Sequence, residues 1–232
     1  MKILAVDTSS AVATAAICED DKLICEFVLN NKLTHSQTIL PIIDSCFEKS
    51  EMTPEDIDVF AVAEGPGSFT GLRIGVTTIK GLAHAVDKPV TGVNTLEALA
   101  YNLPFCPYII APIMDARREQ VYNALYKFED GRLIEIAPPR AIALDDCIAE
   151  LDKMGEKVVF LGDGVPVFKD KIAEKLPDTA FFAPQNCNIQ RASCVCQAAK
   201  TKGTIHYAKL APVYLRKSQA ERELEERGNK QC

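Results

Sequence analysis

The amino-acid sequence predicts a mixed α/β protein made of two diverged copies of one βββαβα unit. An apolar strand that ends in an aspartate occurs twice, at residues 3–7 and 108–115. Each is followed by two further strand candidates, a helix, and a second apolar strand that runs into a glycine turn. This order recurs from Asp7 to Asp115, which favours an internal duplication over two unrelated α/β halves with the same coarse order.

Prolines at positions 104 and 107 mark a break between the two copies. We therefore predict an N-terminal subdomain over residues 1–105 and a C-terminal subdomain over residues 106–232, whose tail packs back on the first. The length of 232 residues and a hydrophobic content of 47% suffice for two cores that enclose a cleft.

The net charge of -6 argues against a chain that holds RNA unaided, because such binding depends on a clustered basic surface. Nine cysteines occur without a Cys-x-x-Cys pair, and the three histidines lie far apart in the sequence. We predict no metal site, and buried thiols in a reducing cytosol. The apolar run before Asp7 is too short for a signal peptide or a membrane span, so a soluble cytoplasmic protein is expected.

In the first unit, residues 3–6 predict a central strand because they are continuously apolar. Residues 11–18 and 23–29 complete an antiparallel meander. Thr34 and Gln37 have the spacing of a capping box, which predicts the start of an amphipathic helix.

Pro41 is expected to kink that helix. Pro54 predicts a short helical turn, and residues 57–63 the next buried strand. After the glycine turn and its helix, we predict a strand at residues 89–93 and a helix that is capped by Asn94.

The second unit repeats this order. Residues 120–127 and 132–136 predict a pair of strands, and residues 144–151 a helix. Residues 158–161 predict a buried strand that enters a second glycine turn at residues 162–164.

The first glycine turn, residues 64–75, joins a buried strand to a helix, which is the usual place for anion binding. It is not a phosphate-binding P-loop, because Leu72 stands where a lysine is required. It also differs from the dinucleotide-binding motif, because Thr70 occupies the third glycine position. Nucleotide contact at Gly65 or Gly67 is therefore the lesser prediction for this turn.

The helix after the turn has an unusually wide apolar face. Leu72, Val76 and Ile79 form the stripe that faces the sheet, and small or apolar residues run beside it. Small residues at 71 and 75 allow another backbone to come close. Spacing alone does not decide whether this backbone belongs to the same chain, around residues 39–47, or to a second protein.

A duplicated βββαβα unit with strand-end aspartates resembles the actin, sugar kinase and Hsp70 superfamily. That resemblance implies an actin-like fold and a nucleotide cleft between the subdomains. In that superfamily a glycine usually follows the first aspartate, whereas Thr8, Ser9 and Ser10 follow Asp7 here. Hydroxyl contacts to a phosphate remain one interpretation, and an Asp7 hydrogen-bonded to its own turn is the favoured one.

Motifs along most of the chain carry a narrower resemblance. They are ILAVDTS at residues 3–9, THSQ at 34–37, GPGSFTGLRIG at 65–75, MDARR at 114–118 and PVYLR at 212–216. Together these motifs resemble the TsaB (YeaZ) family. The resemblance implies a bacterial protein that helps to make N6-threonylcarbamoyladenosine at position 37 of tRNAs reading ANN codons. It also implies a subunit without its own catalytic centre.

The resemblance further implies the transferase TsaD and the ATPase TsaE as partners, with tRNA bound only through the complex. A homodimer is expected when TsaD is absent. No tightly bound cofactor is expected in this chain. ATP or ADP is expected to bind, if anywhere, at the interface of the complex. The predicted partner interface comprises Ile39, Ile43, Gly71, Leu72, Ile74, Gly75, Thr78 and Leu82. The residues predicted for nucleotide contact are Asp7, Ser10, Gly65, Gly67 and Arg118.

The competing hypothesis is an active nucleotide-hydrolysing or kinase-type enzyme of the same fold. It would use Asp7 as a metal-bound carboxylate, with Asp115 opposite. Arg117 and Arg118, read as consecutive strand residues, point to opposite faces, so at most one of them reaches the cleft. The charged run at residues 217–230 predicts either a solvated helix or a docking tail.

Overall fold

The computed structural model describes residues 1–216, and the charged run at residues 217–230 lies outside them. The first part of the chain builds one mixed sheet and three helices. Its elements are β1 (Lys2–Asp7), β2 (Ala13–Glu19), β3 (Lys22–Leu29), α1 (His35–Ser50), β4 (Val59–Gly65), α2 (Phe69–Ala85), β5 (Val90–Asn94) and α3 (Thr95–Ala100).

The second part builds another mixed sheet. Its elements are β6 (Ile109–Asp115), β7 (Gln120–Glu129), β8 (Arg132–Ala143), α4 (Leu144–Met154), β9 (Val158–Leu161), α5 (Val165–Lys175), β10 (Ala180–Phe182) and α6 (Ala192–Ala199).

The two sheets have the same strand order. The first runs β3-β2-β1-β4-β5 and the second β8-β7-β6-β9-β10. In each sheet the central strand pairs antiparallel with the following strand and parallel with the strand after the helix. The predicted duplication and the actin-like α/β fold are therefore confirmed.

Local sequence signals set several element ends. The Gln37 side chain accepts a hydrogen bond from the backbone N–H of Thr34 at 3.2 Å, as the capping box predicts. Asn94 caps α3 by accepting from the N–H of Leu96 at 2.9 Å. Pro54 opens a short 3-10 turn. Pro41 lies inside α1, which is one continuous helix, and the kink stays a prediction.

Four apolar cores hold the layers together. One lies between the first sheet and helices α1 and α2, and one between the second sheet and helices α4 and α5. A third joins α3 to the inner face of the second sheet, around Leu96, Ile110 and Tyr126. The two subdomains are thus connected by a buried apolar contact.

The fourth core shows that the chain returns to the first sheet. Helix α6 buries Val195 and Cys196 against Ile3 and Ala5 of β1. Although α6 falls within the predicted C-terminal subdomain, it completes the N-terminal one. The sequence predicted that the C-terminal tail packs back on the first subdomain but did not identify α6 as a helix that does so, because an apolar helix face does not specify which sheet it covers.

The described cysteines behave as small apolar residues. Within residues 1–216 all are free thiols, and most of them are buried, including Cys46, Cys147 and Cys196. In the same part of the chain, no helix is both long and apolar enough to span a bilayer.

Candidate functional site

A cleft of about 750 Å³ lies where the strand ends of the two sheets face each other. The first subdomain contributes the turn after β1, with Ser9 and Ser10, and the glycine turn at Gly67. The second contributes Asp115, at the end of β6, and Asp163, which follows β9. The duplication thus places equivalent turns on opposite walls of one cavity.

Asp7 is 1% exposed and is not among the residues that line this cleft. Its Oδ1 accepts a hydrogen bond from the backbone N–H of Ser9 at 2.8 Å, so the favoured interpretation of Asp7 is confirmed. Burial raises the pKa of Asp7 to about 6. Since this pKa lies above that of an unfolded aspartate, the charged carboxylate opposes folding above pH 6, and this cost disappears as the pH falls towards 4.

Ser10 stabilises the turn after β1 by hydrogen bonds. Its hydroxyl donates to Oε1 of Gln190 at 2.6 Å and accepts from the N–H of Val12 at 3.2 Å. Its backbone carbonyl accepts from Nε2 of His35 at 2.7 Å, which ties the start of α1 to this turn. Ser10 also lines the cleft, and its predicted contact with a nucleotide stays a prediction.

Gly65 is not among the residues that line the cleft, and its predicted contact with a nucleotide stays a prediction. A Cβ atom at Gly65 would lie 2.2 Å from the carbonyl oxygen of Val213, so the C-terminal segment already occupies that side of the turn. Gly65 has a φ of +135°, which also requires glycine. Gly67 approaches Ser9 in the same way, with 2.5 Å from its ideal Cβ to the Ser9 carbonyl oxygen, but Gly67 does line the cleft.

The two arginines after β6 do not alternate as strand residues. Arg117, Arg118 and Glu119 all have positive φ angles of 65°, 56° and 57° and form a left-handed turn. Arg117, rather than the predicted Arg118, lines the cleft, and its Nη1 lies 3.2 Å from Oδ2 of Asp115. The sequence carried no glycine or asparagine at these positions to indicate such a turn.

The cleft lining carries two carboxylates, Asp115 and Asp163, against one guanidinium, Arg117. The backbone N–H of Asp115 donates to Oδ1 of Asp163 at 3.3 Å. Although water reaches the Asp163 side chain, the surrounding protein raises the pKa of its carboxyl group to about 6 by desolvation. Because like charges repel, this lining does not favour a polyphosphate without a compensating cation.

The second concave feature is a groove of about 460 Å³ between α1 and α2. Leu40, which is 49% exposed, and the partly buried Ile74 and Thr78 form its apolar part. Ser36 and Arg73 also line the groove. The helix face predicted for a partner is therefore partly open.

Several residues predicted for that interface lie inside the chain instead. Ile43, Gly71, Leu72 and Gly75 are buried and offer no side-chain surface to a partner. Ile39 is also buried, although one edge of it lines the groove. The accessible members of the predicted set are partly buried residues of α2, namely Ile74, Thr78 and Leu82.

The two helix glycines serve a contact within the chain. A Cβ at Gly71 would lie 2.0 Å from the carbonyl oxygen of Thr8, and a Cβ at Gly75 would lie 2.4 Å from Oγ1 of Thr8. The Thr8 hydroxyl also donates to the carbonyl of Gly71 at 2.8 Å. The close backbone approach that the small residues indicated is thus to the turn after β1.

No candidate metal centre is present in residues 1–216, since no three His, Cys, Asp or Glu side chains meet there. His35 contacts Ser10, and His84 is an exposed residue beside Tyr207.

Comparisons with known proteins match nearly the whole chain to proteins of tRNA threonylcarbamoyladenosine synthesis. A family model described as "TsaD: tRNA N6-adenosine threonylcarbamoyltransferase" matches residues 22–224. A Bacillus subtilis protein named "tRNA threonylcarbamoyladenosine biosynthesis protein TsaB" is 36% identical over 95% of this chain and 96% of its own length. An Escherichia coli protein of the same name is 29% identical over 97% of this chain and 98% of its own length.

Among solved structures, a Pseudomonas aeruginosa protein described as similar to peptidase YeaZ superposes with a TM-score of 0.77. It is 23% identical and covers 93% of this chain and 99% of its own, so it supports the fold alone. The sequence identity over nearly the full length, together with the family model, decides the assignment. The chain belongs to the TsaB family.

Proposed function

We propose that this chain is a non-catalytic subunit that supports the transferase TsaD in the synthesis of N6-threonylcarbamoyladenosine at position 37 of tRNA. Its family is named for this biosynthesis, and its sequence matches the TsaD family model along most of its length. The observation that carries the proposal is the apolar groove between α1 and α2.

The groove has the composition of a docking surface. Leu40, Ile74 and Thr78 form an apolar centre, and Ser36 and Arg73 supply polar groups around it. Protein interfaces commonly combine an apolar core with a polar rim. When a partner removes a half-exposed leucine and a second apolar residue from water, the free energy of the complex falls.

The proposed occupant is TsaD, because the match to its family model implies that TsaD has helices equivalent to α1 and α2. Two helix pairs of the same shape can then pack face to face around a pseudo-two-fold axis. A second copy of this chain would occupy the groove in the same manner when TsaD is absent.

The remaining parts of the proposal follow from this role. The acidic chain contacts tRNA only through the complex, TsaE joins that complex, and any ATP or ADP binds at a subunit interface. The complex works in the cytoplasm. The cleft lining, with two carboxylates against one guanidinium, supports the idea that this chain does not hold a polyphosphate alone.

The test introduces a charge at the centre of the groove. Leu40→Glu replaces a half-exposed side chain, so the monomer should stay folded, while a buried carboxylate in the complex should weaken binding to TsaD by at least roughly tenfold. Ile136→Glu is the matched control, because Ile136 is 42% exposed on β8. Unchanged affinity of Leu40→Glu for TsaD, measured by calorimetry, would refute the groove as the docking site.

Gly75→Arg is unsuitable for this test, because its Cβ would clash with Thr8 inside the monomer.

The competing enzyme hypothesis has its own experiment, ATP turnover by the purified chain with magnesium. We expect none, because Asp7 is buried and its Oδ1 is bonded to Ser9. Turnover that Asp7→Asn abolishes would establish the enzyme instead.

A further inference from the structure

The last described residues, 210–216, run along the first subdomain without regular secondary structure and are here called the C-terminal strap. Leu210 anchors its start, since it is 1% exposed and its carbonyl accepts from Nζ of Lys80 at 3.0 Å. The backbone N–H of Val213 then donates to the carbonyl of Glu64 at 2.7 Å. The strap is therefore attached to both α2 and the end of β4.

The strap lies directly on the glycine turn. The carbonyl oxygen of Val213 sits where a side chain at Gly65 would be, only 2.2 Å from the ideal Cβ position. A residue other than glycine at position 65 would push the strap away. The backbone of the same chain thus occupies the Gly65 side of the turn, whereas Gly67 still lines the cleft.

Tyr214 connects this strap to both concave features of the molecule. Its ring stacks on Phe69 with centroids 4.4 Å apart and planes 12° from parallel. Its hydroxyl accepts a hydrogen bond from Nε of Arg73 at 2.9 Å. Phe69 lines the cleft between the subdomains and Arg73 lines the groove between α1 and α2.

The end of the strap reaches the second subdomain. Leu215 packs on the apolar core that contains Met114 and Ala116. The Arg216 guanidinium donates to the carbonyl of Ala116, which lies at the start of the turn between β6 and β7 and lines the cleft. One short segment therefore touches the groove, the glycine turn and the opposite wall of the cleft.

We propose that the C-terminal strap couples occupancy of the helix groove to the β6–β7 turn and so to the opening of the cleft. A partner on the groove contacts Arg73, and Arg73 holds Tyr214, whose neighbours Leu215 and Arg216 hold the turn. The strap gives these two sites a continuous chain of contacts. The coupling rests on the proposed docking of TsaD to the groove, whereas the mechanical link is a property of the free chain.

The first experiment tests the link without any partner. Hydrogen exchange at residues 115–120 is measured in the full chain and in Tyr214→Ala, and we expect roughly tenfold faster exchange in the variant because the turn loses its anchor. Tyr108→Ala is the control, since Tyr108 stacks on Phe181 away from the strap, with centroids 5.4 Å apart. Unchanged exchange in Tyr214→Ala would overturn the proposal.

Two further variants keep this test decisive if Tyr214→Ala folds poorly. Tyr214→Phe keeps the stacking on Phe69 and loses only the hydrogen bond from Arg73, so a smaller increase in exchange is expected. Arg216→Ala removes the contact with Ala116 and should accelerate exchange at the turn as Tyr214→Ala does. No acceleration in either variant would also overturn the link.

The second experiment adds TsaD. In the parent chain, complex formation should change exchange at residues 115–120 severalfold, and in Tyr214→Ala this response should disappear although the complex still forms. If TsaD binds the parent without any response at the turn, the coupling is wrong. If TsaD does not bind the parent at all, the proposed function fails, and the result of the first experiment stands by itself.

Discussion

Replacing Gly71 by alanine adds one methyl group on the inner face of α2, next to the turn after β1. The new Cβ would lie 2.0 Å from the carbonyl oxygen of Thr8 and 3.3 Å from Cδ2 of His35. The first contact involves a backbone atom, which cannot rotate away as a flexible side chain can. Either α2 or the turn must move, and the 2.8 Å hydrogen bond from Thr8 to the Gly71 carbonyl would be distorted.

The size of the effect follows from these contacts. Overpacking a close contact costs about 1–3 kcal/mol, and a distorted buried hydrogen bond adds about 1 kcal/mol. The helix propensity of alanine offsets at most about 1 kcal/mol. A net loss of about 2 kcal/mol corresponds to a melting temperature lower by about 4–8 °C in a chain of this length.

Gly81→Ala is the matched control in the same helix. Gly81 is exposed, and an added Cβ meets nothing within 4 Å. Here the better helix propensity acts alone and should stabilise the chain by about 0.5–1 kcal/mol. The two substitutions therefore have opposite predicted signs.

Thermal unfolding of both variants, followed by circular dichroism, measures these changes. A Gly71→Ala variant that melts at or above the temperature of the parent would refute the close approach to Thr8. It would instead favour the interpretation in which residue 71 is small to admit another protein. That interpretation predicts a stable monomer with weakened association, which calorimetry against TsaD would detect.

Three other predictions follow from buried charges and thiols. Asp7→Asn should be more stable than the parent by about 2–3 kcal/mol at pH 7.5, because the buried carboxylate is then charged in the parent. Unfolding curves should show that this difference in stability closes towards pH 4.5. A difference that does not vary with pH would contradict the raised pKa of Asp7. Glu26→Gln should destabilise the chain by about 2 kcal/mol in urea titrations, because Glu26 binds the start of α6. Asp21→Asn is the control and should change the stability little, since Asp21 is exposed. Equal effects of the two substitutions would contradict this role of Glu26. Burial raises the pKa of Cys147 to about 12. Mass spectrometry of the native chain should therefore find Cys147 alkylated far more slowly than the half-buried Cys106. Similar alkylation rates of the two cysteines in the native chain would refute this.

The duplicated fold was predictable because its signals are local. Each central strand is a continuous apolar run, and the caps at Thr34 and Asn94 follow from short-range hydrogen bonds. Such patterns need no knowledge of distant contacts. The hairpin of β7 and β8 was recognised for the same reason, although β8 extends beyond residue 136 to Ala143.

The site was less predictable because its contacts join distant parts of the chain. Spacing identified the small-residue face of α2, but periodicity does not state that Thr8 fills it. The contact of Val213 with Gly65 connects the C-terminal segment to the middle of the first subdomain. The left-handed turn at Arg117 lacks the residues that usually mark one, so it was read as strand.

These contacts change the physical meaning of the glycine run at residues 65–75. Val213 covers Gly65, Ser9 lies against Gly67, and Thr8 lies against Gly71 and Gly75. Each glycine therefore permits the approach of another part of the same chain. Because these approaches draw the inner face of α2 against the turn after β1, its outer residues Ile74 and Thr78 are left facing the groove. The same sequence feature thus packs the glycine turn against other parts of the chain and presents the surface on which a partner is proposed to dock.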